Sequence, residues 1–294
     1  MLTQLQAARA EGDLEETGNG LLALAHLVKW VGSDTNQDGF TRSHDLATEA
    51  LECFRQAGSD RGQVRALVAA SAMHPNGTEM LEEAERTADR LGDLDLQASV
   101  VAARARAAGL RDRTEAVRLH QRALDLFRQT ENLVGQANAL FGLAIAQSDS
   151  AEQVAAAKAA AKAYREAGDY ANAARSGQIA LSFDEGEESL ENREATAKQG
   201  LADAQRAMAT SLEQAFYEKL ALIAAEKGDQ GEAETYRRWA TELQDSDGLS
   251  PLERWQEQVD LTKWMIETAK AQGHEEMAKA FRAELKRLRA DKPE

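Results

Sequence analysis

One short segment of the chain, residues 34–45, combines the residue types and the spacing of an oxygen-rich metal site. Its candidate ligands are the side-chain or backbone oxygens of Asp34, Asn36, Asp38, Phe40 and Asp45. Gly39 lies among them and permits the sharp turn that would direct these oxygens at one centre. Because hard cations take oxygen ligands at this spacing, the segment predicts a calcium site.

The same segment resembles the calcium loop of EF-hand and dockerin-type proteins. Its flanks agree, because the sequence predicts an apolar helix over residues 20–32 and another from about residue 43. Thr41 and Arg42 depart from the pattern, since an apolar residue and an oxygen ligand are usual there. A polar turn that ends one helix and caps the next accounts for the same residues. Both interpretations, calcium loop and capped turn, stay open.

The rest of the sequence contains no residue pattern typical of a catalytic site. Its five histidines are scattered, without the close helical spacing of a metal pair. The sequence also has no glycine-rich phosphate loop with its lysine and no strained turn carrying a nucleophilic serine. We therefore expect a protein that is not an enzyme and that requires no cofactor, with calcium as the one candidate ion.

Helical hairpins repeat along the chain. Similar segments begin at Phe54, Ala88, Phe127 and Tyr164, and each anchor is followed by a short polar break. The anchors lie 34, 39 and 37 residues apart, with two helices in each interval. A period of this length marks a helical repeat array. Neighbouring hairpins must stack, because one hairpin cannot bury its own apolar face.

The best copy, from Ala123 to Leu143, resembles the tetratricopeptide-repeat superfamily in the form found in bacterial regulatory and adaptor proteins. The resemblance covers about residues 45–185. It implies an all-α fold, a right-handed α-solenoid of antiparallel helical hairpins. We expect the array to occupy residues 1–247, and residues 248–294 to form a C-terminal helical hairpin that caps it.

The resemblance also implies that the first helix of each repeat lines the inner surface and contacts a partner. The corresponding positions are Gln63, Gln97, Arg104, Gln136, Asn138 and Ser176. Long amides can bond to a peptide backbone, although glutamine is also a good helix former. The first hypothesis is therefore a scaffold or adaptor for a protein or peptide. The alternatives are a calcium-responsive regulator that uses residues 34–45 and an enzyme with a dispersed site.

The charge of the chain restricts its partners. Lysine and arginine total 35 against 50 aspartate and glutamate residues, a net charge of −15. Such a chain repels the nucleic-acid backbone and offers no polybasic patch for a membrane. Its overall field favours basic proteins or peptides, or metal cations. No signal peptide or membrane-spanning stretch is predicted, so a cytoplasmic location is expected. Self-association is left open.

Overall fold

The computed structural model describes residues 2–28, 37–72, 76–109, 111–184, 186 and 188–246, with eight single positions beyond 246. These residues form helices and turns and include no strand. The thirteen helices within them are α1 (Leu2–Glu11), α2 (Leu14–Val28), α3 (Gln37–Ala57), α4 (Asp60–Ala70), α5 (Gly77–Leu91), α6 (Leu94–Ala108), α7 (Arg113–Gln129), α8 (Leu133–Ala146), α9 (Ser150–Glu166), α10 (Tyr170–Phe183), α11 (Leu190–Arg206), α12 (Thr210–Glu226) and α13 (Gln230–Ser246). The all-α prediction is confirmed.

A single type of turn joins each odd-numbered helix, from α1 to α11, to the next even-numbered helix. One residue in each turn takes a left-handed backbone conformation: Gly12, Gly58, Gly92, Glu131, Gly168 and Met208. The backbone N–H of the residue after it donates a hydrogen bond to the carbonyl five positions before that residue, with N···O distances of 2.9 to 3.4 Å. This geometry satisfies carbonyls that the helix end would otherwise leave unbonded. Turns this short make the two helices antiparallel neighbours.

The repeat anchors of the sequence are the residues that these turns use. Phe54, Ala88, Phe127 and Tyr164 each accept the turn hydrogen bond through the backbone carbonyl, and all four are buried. A polar residue then caps the next helix; the Asn132 side chain, for example, accepts from the Gly135 N–H at 2.8 Å. The recurring sequence pattern is therefore a recurring hydrogen-bonded turn.

Glycine after the turn allows an aromatic anchor to pack against the next helix. A Cβ atom at Gly135 would lie 2.3 Å from the ring of Phe127, and one at Gly62 would lie 2.1 Å from the ring of Phe54. No real side chain tolerates such distances, so both positions require glycine for this packing. Alanine fills much of the remaining core, which lets the helices approach closely.

The helices stack in chain order, each packing against the one before and the one after. Most pairs of successive even-numbered helices also contact each other, as α4 contacts α2 and α6. The odd-numbered helices make no comparable contact with each other among the described helices. The even-numbered helices are the ones that the family resemblance assigns to the inner surface, and we call them the inner helices.

The predicted C-terminal hairpin, residues 248–294, lies almost entirely outside the described residues. Among its described positions, Val259, Thr262 and Ile266 are helical and buried. Their spacing places them on one helix face. Within the part of the chain that the structure describes, no helix has the length and apolar character needed to cross a membrane.

Candidate partner-binding surface on the inner helices

The six predicted contact residues all belong to even-numbered helices, but their side chains differ in how far they are exposed to a partner. Asn138 on α8 is exposed, and its Oδ1 accepts a hydrogen bond from Tyr164 Oη at 2.6 Å. Ser176 on α10 is fully buried, and its Oγ donates to the Asn172 carbonyl at 2.8 Å. Ser176 is therefore inaccessible to a partner in this structure, because it serves the packing of its own helix.

The recurring glutamines have local roles that the sequence left undecided. Gln97 Nε2 donates to Asp89 Oδ1 at 2.9 Å, and Gln136 Nε2 donates to the Phe127 carbonyl at 3.3 Å. Each amide thus reaches back to the preceding odd-numbered helix and supports the hairpin turn. Gln63, at the equivalent position of α4, is half-buried. These contacts favour the structural interpretation for Gln97 and Gln136.

Arg104 on α6 is also engaged within its own hairpin. Its guanidinium forms an ion pair with Glu85 on α5, and about 39% of its side chain stays exposed. An exposed ion pair of this kind contributes less than about 1 kcal/mol to stability, so its main effect is to orient the arginine.

Sequence reasoning missed a small cleft on the inner surface. The cleft encloses about 100 Å³, and its polar lining consists of His26, Ser43, His44, Arg65 and Arg106. Small or apolar side chains complete it: Ala25, Val68, Ala69 and Ala72. The lining residues belong to α2, α3, α4 and α6. Only the stacking of successive hairpins brings them together, so no local sequence pattern pointed to them.

The four central inner helices differ in charge from the chain as a whole. Helices α4, α6, α8 and α10 carry five arginines and two aspartates and contain no lysine or glutamate. The prediction of a basic partner used only the net charge of −15. These four helices are locally positive, whereas α2 carries two glutamates and α12 carries three glutamates and one lysine.

Two buried rings lie beside this surface. His120 on α7 is 3% exposed, and its Nδ1 has no hydrogen-bond partner in the described part of the chain. Burial and, to a smaller extent, the charge of Arg106 together lower the pKa of His120 to about 4. Burial likewise raises the pKa of the Tyr164 phenol to about 12. Both rings are therefore neutral near pH 7.

A second cleft, of about 260 Å³, lies between α9, α10 and α11. Its most unusual residue is Asp203, which is fully buried. Arg165 Nε donates to Asp203 Oδ1 at 3.0 Å, and Arg165 Nη2 donates to Oδ2 at 2.9 Å. Because both oxygens of this carboxylate are satisfied, Asp203 has a structural role in holding α9 against α11.

The predicted calcium ligands are only partly within the described residues. Asp34 and Asn36 lie outside them. Asp38 and Phe40 belong to α3, whose helical backbone begins at Gln37, six residues earlier than predicted. Asp45 is exposed on the same helix. No group of three or more histidine, cysteine or acidic residues comes together as a metal site elsewhere in the described chain. The calcium site stays a prediction.

The architecture resembles that of solved helical-repeat proteins. A Signal Transduction ATPase with Numerous Domains protein from Pyrococcus horikoshii, which has a tetratricopeptide repeat sensor, superposes with a TM-score of 0.58 at 14% identity. That match covers 94% of this chain and 40% of the other. The fold is an α-solenoid of antiparallel helical hairpins.

A second match is to BtubC (BKLC) from P. vanneervenii. It has a TM-score of 0.52 at 13% identity and covers 80% of this chain and 92% of that one. Identities this low support a shared fold and nothing further. No protein-family profile and no curated protein sequence matches the chain.

Proposed function

We propose that this chain is a non-catalytic scaffold or adaptor that holds a protein or peptide segment against its inner helices. The observation that supports this best is the surface of α8. This helix contains no charged residue, and it exposes Leu133, Val134 and Ile145 to between 42% and 48%. Asn138 lies exposed on the same helix.

An exposed mixture of apolar and amide side chains suits the centre of a protein interface, where charged residues are depleted. Arginines on the neighbouring helices flank it, since Arg104 and Arg106 lie on α6 and Arg175 on α10. Arginine is also enriched at interfaces. The fold agrees with this role, because repeat arrays use extended concave surfaces for binding.

Site-specific photo-crosslinking tests the proposal. A photoreactive amino acid would replace Asn138 on α8 or, as the matched control, the exposed Arg122 on α7. In cells that produce the protein, we expect a discrete covalent adduct from position 138 and none from position 122. Equal adducts from both positions, or an adduct from 122 alone, would place the partner on another surface and contradict the proposal.

A further inference from the structure

The two aspartates on α4 and α6 are already engaged. Asp60 forms an ion pair with Arg90 at 3.1 Å. Asp95 Oδ1 accepts hydrogen bonds from Thr130 Oγ1 at 3.2 Å and from Asn132 Nδ2 at 2.6 Å. Both carboxylates therefore bind residues of neighbouring helices and turns.

Two of the arginines, by contrast, have no carboxylate partner among the described residues. Arg61 and Arg104 are ion-paired, with Asp93 and Glu85 respectively. Arg65 donates only to the neutral Asn19 Oδ1, at 3.1 Å. Arg106 forms neither an ion pair nor a hydrogen bond with the other described residues. These two guanidinium groups retain donors for an anion.

Arg65 and Arg106 line the same inner cleft, and its lining within the described part of the chain includes no acidic residue. The other polar groups of the cleft, from His26, Ser43 and His44, can all act as hydrogen-bond donors. His44 Nδ1 lies 2.9 Å from the Ala70 carbonyl, which fixes its ring at the cleft wall.

The size of the cleft restricts what it can hold. Pockets for drug-sized ligands enclose roughly 300 Å³ or more. A volume of about 100 Å³ is too small for such a molecule. It suits one side chain of a larger partner, and a guanidinium group binds a carboxylate through two parallel hydrogen bonds.

The acidity of the whole chain does not prevent this contact. At physiological ionic strength, exposed charges more than about 8 Å apart are largely screened from each other. An anionic side chain in the cleft therefore responds to Arg65 and Arg106 and only weakly to the distant acidic residues.

We propose that the segment bound by the inner helices is acidic, and that one of its aspartate or glutamate carboxylates binds Arg65 and Arg106 in the cleft. The inference rests on the proposed scaffold function, because it names the chemistry of the partner for the same surface. Flanking apolar residues of the segment would contact the uncharged surface of α8.

Selection from a displayed random peptide library tests this assignment by charge reversal. The purified full-length chain would be compared with R65E/R106E and with the control R86E/R122E, which reverses two exposed arginines on the odd-numbered helices α5 and α7. We expect the unchanged protein and the control to enrich peptides rich in aspartate and glutamate. R65E/R106E should lose these peptides and enrich lysine and arginine instead.

A selected acidic peptide, labelled for fluorescence anisotropy, should bind R65E/R106E at least about tenfold more weakly than the unchanged protein, since two charge-assisted contacts are lost. Circular dichroism would check the fold, and R65Q/R106Q would replace the reversal variant if that variant unfolds. Enrichment of peptides without an acidic bias, unaffected by R65E/R106E, would overturn the acidic assignment and leave the scaffold proposal standing. No enrichment by the unchanged protein would contradict both.

Discussion

At the residue scale, packing of the aromatic anchors depends on glycine in the following helix. The Phe127 ring on α7 lies where a Cβ atom of Gly135 on α8 would be, at 2.3 Å. Gly231 on α13 offers a contrast, because a Cβ atom there would meet only Asp229 Oδ1, at 3.6 Å. Substituting each glycine by alanine therefore distinguishes two effects: the steric clash of a new Cβ atom, and the intrinsic cost of glycine in a helix.

We expect Gly135→Ala to lower the free energy of unfolding by about 1–3 kcal/mol, because the ring or the backbone must shift. Gly231→Ala should leave it unchanged or raise it by up to about 1 kcal/mol, since alanine is the better helix former. Urea unfolding measures both. Similar effects in the two variants would contradict the close packing of Phe127.

His120 links stability to pH. Burial lowers its pKa from 6.5 to about 4 in the folded protein. The unfolded chain therefore binds a proton at a higher pH than the folded chain does. Stability from the neutral imidazole is complete above about pH 6.5 and is lost as pH falls toward about 4, by up to about 3 kcal/mol.

His120→Gln should therefore remove part of the acid sensitivity. The measurement is the difference between the free energies of unfolding at pH 7 and pH 4.5, which we expect to shrink by about 2 kcal/mol relative to the unchanged protein. The exposed His26, changed to Gln, serves as the matched control. If both variants keep the full difference, the buried imidazole is not its source.

At the scale of helices and turns, the junction between α11 and α12 departs from the other hairpins. Met208 takes the left-handed conformation at φ 52°, as Glu131 does in the α7–α8 turn, and this costs roughly 1–2 kcal/mol outside glycine and asparagine. Ala209 follows it at the cap position and provides no side-chain hydrogen bond to α12. The equivalent turn before α10 has Gly168 and Asp169, which supply both features.

Exchanging these turn residues tests their roles in both directions. M208G/A209D should raise the midpoint of thermal unfolding, because it relieves the backbone and adds a cap worth about 1 kcal/mol. G168M/D169A should lower the midpoint for the converse reasons. Unchanged midpoints in both variants would show that the turns do not limit the stability of the array.

The start of α3 bears on the calcium prediction. Gly39 lies in the helix, whereas a calcium loop of the EF-hand type needs it in a sharp turn. Calcium binding would therefore require the first turn of α3 to unwind. A calorimetric titration of metal-stripped protein should show saturable binding that Asp34→Ala abolishes and that Glu82→Ala, in an exposed position on α5, leaves intact. The absence of binding heat would favour the capped turn.

At the scale of the whole molecule, sequence alone predicted the hairpins because their determinants are local. Phe127, the polar break that follows it and Gly135 lie within nine consecutive residues and form one hydrogen-bonded turn with its packing contact. The assignment of the even-numbered helices to the inner surface came from the family resemblance instead.

The binding surface was harder to predict because its chemistry comes from separate repeats. His26, Arg65 and Arg106 belong to three helices, and their convergence depends on how the hairpins stack. The prediction of a basic partner used the net charge of the whole chain, whereas the central inner helices α4, α6, α8 and α10 carry more arginines than aspartates. The position of Gln97 in its repeat predicts a partner contact, whereas in the structure its amide donates a hydrogen bond to Asp89 on the preceding helix.

Six left-handed turns, from the α1–α2 turn to the α11–α12 turn, lie along one edge of the stack, whereas the opposite edge has a comparable turn at Gly228 and otherwise different connections. The six turn residues on the first edge lie 46, 34, 39, 37 and 40 residues apart, although the turn itself hardly changes. The differences in length must therefore fall in the helices and in the connections at the opposite edge, such as the one between α10 and α11 that contains the exposed Gly186. For protein engineering, that edge is the place to insert a fluorescent label or an affinity tag, whereas an insertion beside Gly92 would separate the two halves of a hairpin.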